Sequence, residues 1–161
     1  MSVADLLQRS ELFAGLAPEQ IERIATLGRE VVYNAGDIII REGEPSDEMY
    51  IISDGLVEVL VSSGAIPDVT GPPQLTPVVR LGQGQFFGEM ALVDHGARSA
   101  TVRCVEDGTT LYVIPRQEFL ALCEADHHIG YIVMRNIASD LSFKLRYHNL
   151  QARMKKTGGA P

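Results

Sequence analysis

A chain of 161 residues, 45% of them hydrophobic, can bury a proper core and leaves room for one domain rather than two. Its formal net charge of -7 argues against a nucleic-acid surface, which needs a basic face. No stretch reaches the roughly 18 apolar residues of a membrane span, and the amino terminus lacks the basic-then-apolar order of a signal peptide, so the expectation is a cytoplasmic protein with neither nucleic-acid nor membrane partners.

Residues 3–27 carry helical spacing. Leu6, Leu7, Leu12, Phe13 and Leu16 precede Pro18, a good first-turn residue, and Ile21, Ile24 and Leu27 then recur on one face. From 31 to 114 the pattern changes to short β-branched runs at 31–33, 38–40, 49–52, 56–61, 78–81, 100–105 and 110–114, separated by Gly, Asp, Ser and Pro. Many short strands with turn residues between them predict a sandwich or a closed roll. The Pro- and Gly-rich stretch 62–77 reads as a long surface loop between two strands. Pro115 opens a short helix, and a long one is predicted over 128–154, where Ile129, Ile132, Val133, Ile137, Leu141 and Leu145 step by three and four along one face. Tyr131, Met134, Ala138 and Phe143 give its first half a second apolar face, which calls for two partners, the roll and a second copy of the chain. The tail 155–161 has nothing to bury and is predicted to be disordered, leaving 1–154 as a single domain.

The run Phe87-Gly88-Glu89-Met90-Ala91-Leu92, followed by Arg98-Ser99-Ala100-Thr101-Val102, sets one acid and one arginine around a short glycine-led turn. A lone phosphate needs only backbone N–H groups and a cation, and a carboxylate beside it would repel it. Glu89 therefore fits only a ligand that carries hydroxyl donors near its negative charge. A 3′,5′-cyclic nucleotide has both: Arg98 takes the phosphate charge and Glu89 takes the free ribose 2′-OH.

Residues 87–102 resemble the phosphate-binding cassette of cyclic-nucleotide-binding domains, the module shared by the catabolite activator, the regulatory subunit of cyclic-AMP-dependent protein kinase and cyclic-nucleotide-gated channels. Upstream, GDIIIREGE at 36–44 and SDEMYIISDG at 46–55 repeat the family's glycine-punctuated strand pattern in the same order. The resemblance covers residues 12–122 and extends to 150. It implies an α+β fold: a cupin-like β-jelly-roll, or double-stranded β-helix, flanked by N-terminal helices and a long C-terminal helix. It implies further that Arg98 contacts the exocyclic phosphate oxygens, that Glu89 and Gly88 hold the 2′-OH, and that the short helix through Met90 and Ala91 completes the phosphate cradle, with Ser99 beside it. By the same alignment the second half of the long helix meets the purine, which makes Tyr147, His148 and Asn149 the candidate base lid.

Two positions depart from the family pattern. Ala97 stands where many members have proline, and Ser99 stands where relatives that prefer cyclic GMP have threonine, which tilts the ligand to cyclic AMP. The chain stops too soon for the helix-turn-helix that follows this module in many bacterial relatives. The expectation is a stand-alone or excised sensor that acts on an unknown protein effector and forms a homodimer through its C-terminal helix. The alternatives are a sensor of cyclic GMP or a cyclic dinucleotide, and a degenerate interaction module with no ligand.

Catalysis has little to work with. Jelly-roll metal enzymes need several histidines and an acid projecting into the roll, and His95, His127, His128 and His148 all lie outside the predicted strands. Cys104, in an apolar strand, and Cys123, at the end of a short helix, show no metal-like spacing and read as reduced, packed thiols. The chain is read as a non-enzyme with no metal and no cofactor besides its nucleotide ligand.

Overall fold

Two short helices, α1 (Val3–Arg9) and α2 (Pro18–Ala25), open the computed structural model, which describes residues 2–45, 47–62 and 74–158 and side chains as far as 154. Ser2 and Asp5 form a reciprocal cap on α1, and Pro18 starts α2 where its missing N–H costs nothing. With the intervening 3-10 turn (Glu11–Phe13), these helices bury Leu6, Leu7, Leu12, Phe13, Ile21 and Ile24.

Eight strands follow: β1 (Arg29–Tyr33), β2 (Ile38–Ile40), β3 (Glu48–Asp54), β4 (Leu56–Ser62), β5 (Leu75–Gly82), β6 (Phe86–Phe87), β7 (Thr101–Cys104) and β8 (Thr109–Pro115). They form two four-stranded antiparallel sheets, ordered β1-β8-β3-β6 and β2-β7-β4-β5. This is the expected jelly-roll. Alternation along β3 and β8 sorts their side chains into two cores. Met49, Ile51, Tyr112 and Ile114 pack under the helices, whereas Tyr50, Ile52, Leu111 and Val113 turn into the roll against Ile40, Val57, Phe87 and Val102. Both strands read as unbroken apolar runs because both of their faces are covered. Gly55 carries the chain from one sheet to the other at φ +103°, and a Cβ there would lie 2.7 Å from the Cα of Thr109. Only glycine fits that turn.

Two strand assignments differ from the sequence reading. The stretch 62–77 is not all loop, since β4 ends at Ser62 and β5 already begins at Leu75; residues 63–73 lie outside the described residues. Pro77 sits on an edge strand opposite Leu60, at a register shift, where a missing N–H is tolerated. The two-residue β6, paired with Tyr50 and Ile51, is too short for periodicity to reveal.

After α3 (Arg116–Ala125), α4 (His127–Gly158) closes the domain. It continues through Gly158, beyond the expected end at 154, and 159–161 lie outside the described residues. Ile129, Ile132, Val133 and Ile137 are buried against the first core, with Met134 and Leu141 half-buried beside them. Two residue assignments in this helix fail. Leu145, assigned to the core face, is 61% exposed, and Met134, assigned to the second apolar face, packs into the core, while Tyr131, Ala138 and Phe143 of that second face are exposed. For Leu145 the reason is geometric: every described residue from 142 to 154 is exposed, so beyond Leu141 the helix has no hydrophobic core to turn toward.

Candidate functional site

Gly88 ends β6 with φ +78° and starts the 3-10 helix Glu89–Leu92. A Cβ at this position would lie 3.0 Å from Arg98 Nη1, 3.1 Å from the Glu48 carbonyl and 3.2 Å from the Tyr50 ring. The buried side chains of Ala91 and Leu92 anchor the turn. Behind it, Arg116 Nε donates to the Ala91 carbonyl at 2.7 Å, and the Ala91 N–H donates to the Gly88 carbonyl at 3.2 Å.

Arg98 is held by its backbone and by its side chain. Its N–H donates to the Glu44 carbonyl at 2.8 Å and its carbonyl accepts from Gly43 at 2.9 Å, tying it to the segment between β2 and β3. Its guanidinium donates to the Glu48 carbonyl at 2.7 Å and the Gly88 carbonyl at 3.2 Å. The same group lies 5.9 Å from the centre of the Tyr50 ring, which stacks on Phe87 at 4.8 Å. Between the turn and Arg98, His95 adopts a positive φ of 51° and its ring meets Asp47 Oδ1 at 2.9 Å.

Glu89 is only 7% exposed. Burial pushes its carboxyl above the usual carboxylate range, an effect partly countered by its own backbone N–H, by Lys144 of α4 and, less, by Arg98. Lys144 Nζ stands 4.0 Å from Glu89 Oε1 and 2.8 Å from Asp140 Oδ2, one helical turn back.

A cavity of about 320 Å³ joins these groups, a size ordinary for a small-molecule site. Gly88, Glu89, Arg98, Ser99 and Lys144 supply its polar rim, and Ile40, Val59, Val79, Leu81, Met90 and Val102 its apolar wall. Of the residues singled out from sequence, Ala91 lies buried behind this lining. Tyr147, His148 and Asn149 are exposed and do not line the cavity. The contribution of α4 is Lys144, which the sequence analysis does not single out. Spacing held the signal: Asp140, Lys144 and His148 step by four along one face, whereas Tyr147 falls in line with Phe143 and Leu150.

Residues 30–126 match the family model of the cyclic nucleotide-binding domain. The chain belongs to the cyclic nucleotide-binding domain family. It is 32% identical over 90% of its length to the cyclic AMP receptor protein of Thermus thermophilus, of which it spans 62%. It is 34% identical over 72% of its length to a cGMP-dependent protein kinase, isozyme 2, of Drosophila melanogaster, of which it spans 12%. The crystal structure of the Thermus thermophilus catabolite activator protein shares its fold with a TM-score of 0.75 and 31% identity, covering 91% of this chain and 63% of that one. The chain thus spans less than two thirds of the length of these relatives. In this cyclic nucleotide-binding domain Glu89 and Arg98 line one cavity.

The remaining reactive groups stand apart from that cavity. Cys104 is buried with Sγ donating to the Glu106 carbonyl, and burial pushes the half-buried Cys123 thiol up to about 11. Both are free thiols. Among the described residues no group of three or more His, Cys, Asp or Glu could hold a metal, and no helix is long and apolar enough to cross a membrane.

Proposed function

We propose that the chain binds a 3′,5′-cyclic nucleotide, cyclic AMP in preference to cyclic GMP, in the cavity between the cassette and α4. The observation that carries this reading is the separation of its two charges. Arg98 does not neutralise Glu89; it is held on two main-chain carbonyls while Glu89, buried, pairs with Lys144. Keeping an acid desolvated with its nearest cation 4.0 Å away is costly unless a ligand engages it. The arginine's remaining N–H donors suit the phosphate, and the Glu89 carboxylate accepts from the ribose 2′-OH. Serine at position 99, rather than threonine, favours cyclic AMP, and the names of the relatives point to both nucleotides.

Binding and release without catalysis make this a regulatory module for a protein effector in the cytoplasm. Its α4 serves two purposes. Phe143, Tyr147 and Leu150 are all exposed and step by four and three, the spacing of a coiled-coil seam, so two copies pair through this stripe. His148 follows Lys144 by one helical turn and closes on the base when the ligand binds. Tyr147 belongs with the seam, and Asn149 with neither.

A thermal-shift series with cyclic AMP, cyclic GMP and a cyclic dinucleotide tests the ligand class. At a hundred times its dissociation constant the right ligand adds about 2.7 kcal/mol of stability. A melting temperature unmoved by all three supports the degenerate interaction module instead.

A further inference from the structure

We propose that Lys144 is a specificity-determining residue that competes with the ribose 2′-hydroxyl for Glu89 and thereby sets how strongly the site discriminates ribose from deoxyribose ligands. This rests on the cyclic-nucleotide reading given above. A buried carboxylate needs partners, and Glu89 has its own backbone N–H and, at 4.0 Å, the Lys144 ammonium. That ammonium forms a close ion pair with Asp140, at 2.8 Å, so one cation lies between two acids. Among the described residues Lys144 is the one residue of α4 that lines the ligand cavity.

A ligand whose 2′-OH donates to Glu89 takes over what Lys144 provides, because both satisfy the same carboxylate. The lysine has somewhere to go. It also lines a neighbouring cavity of about 340 Å³, together with Asp140 and the turn at Gly84, and can swing there without giving up Asp140. Each ribose ligand therefore binds at the expense of the Lys144–Glu89 contact, while a 2′-deoxy ligand leaves that contact in place.

The test is a cycle of four affinities: cyclic AMP and 2′-deoxy cyclic AMP, each titrated into wild type and Lys144→Met. A general electrostatic or structural role for the lysine moves both ligands by the same factor. Competition for Glu89 moves them apart, and the preference for cyclic AMP over its 2′-deoxy form should rise about two- to fivefold in Lys144→Met, the reach of an ion pair this exposed. Lys144→Arg should restore the wild-type ratio. Lys144 is 60% exposed, so these variants are expected to keep the fold, which their melting temperatures check. An unchanged or reduced ratio in Lys144→Met overturns the proposal while leaving the ligand class standing. Wild type that binds neither nucleotide removes the ligand reading and the proposal with it.

Discussion

At the scale of single residues, the account places most of the charge recognition on Arg98 and the sugar recognition on Glu89. Arg98→Leu should cost about 3 kcal/mol of cyclic AMP binding or more, roughly a hundredfold in affinity, the scale of an unpaired desolvated charge. Binding within threefold of wild type, read by calorimetry, would take Arg98 out of the site. Glu89→Ala should cost about 1.5–3 kcal/mol, the range for hydrogen bonds to charged groups. Glu89 also gives a signature that needs no ligand. Its folded pKa lies above its unfolded one, so the folded chain holds that proton more tightly between the two values and loses stability as pH rises through that window. Glu89→Gln should therefore melt higher than wild type at neutral pH, with the difference vanishing once pH drops below the ordinary carboxylate range. A difference in melting temperature that does not change with pH would mean that Glu89 is not held in a desolvated environment.

At the scale of elements, the glycine-led turn and α4 carry the design. Gly88→Ala meets both a positive φ and three close neighbours, one of them the Arg98 guanidinium. It should lower stability by about 1–2 kcal/mol and weaken cyclic AMP as well, because the methyl pushes against the arginine. Unchanged affinity in a folded Gly88→Ala would separate the turn from the site. Ligand addition should slow hydrogen exchange over residues 141–150 as His148 closes on the base; protection confined to the cassette would refute that role.

What the sequence disclosed at this scale depended on how many contacts each signal needed. The β-branched runs of β3 and β8 were legible because their burial on both faces is written in consecutive residues. The pairing of β6 with two residues of β3 is not written locally, and neither is the edge position that lets Pro77 lie within β5. Glu89 and Arg98 were readable from a compact motif. Lys144 reaches Glu89 from 55 positions further along the chain, as the numbering of the pair shows, and only the path of α4 over the roll brings the two together. The apolar positions of α4 revealed a helix but not the point where its hydrophobic core stops, so Leu145 was placed in a core that ends at Leu141.

For the whole molecule, residues of both sheets line the cavity and α4 crosses its mouth at Lys144. The stripe of Phe143, Tyr147 and Leu150 predicts a dimer by light scattering. Phe143→Glu combined with Leu150→Glu should give a monomer whose affinity for cyclic AMP stays within a few fold of wild type, since neither residue lines the cavity. A variant that remains dimeric would move the interface elsewhere. The central claim is that one cyclic nucleotide binds each chain through Arg98 and Glu89. Calorimetric titration of wild type with cyclic AMP and cyclic GMP, beside Arg98→Leu, measures it directly. The expected result is saturable binding at one site per chain, tighter for cyclic AMP and lost in Arg98→Leu. No heat of binding with either nucleotide, or equal binding by wild type and Arg98→Leu, would contradict it.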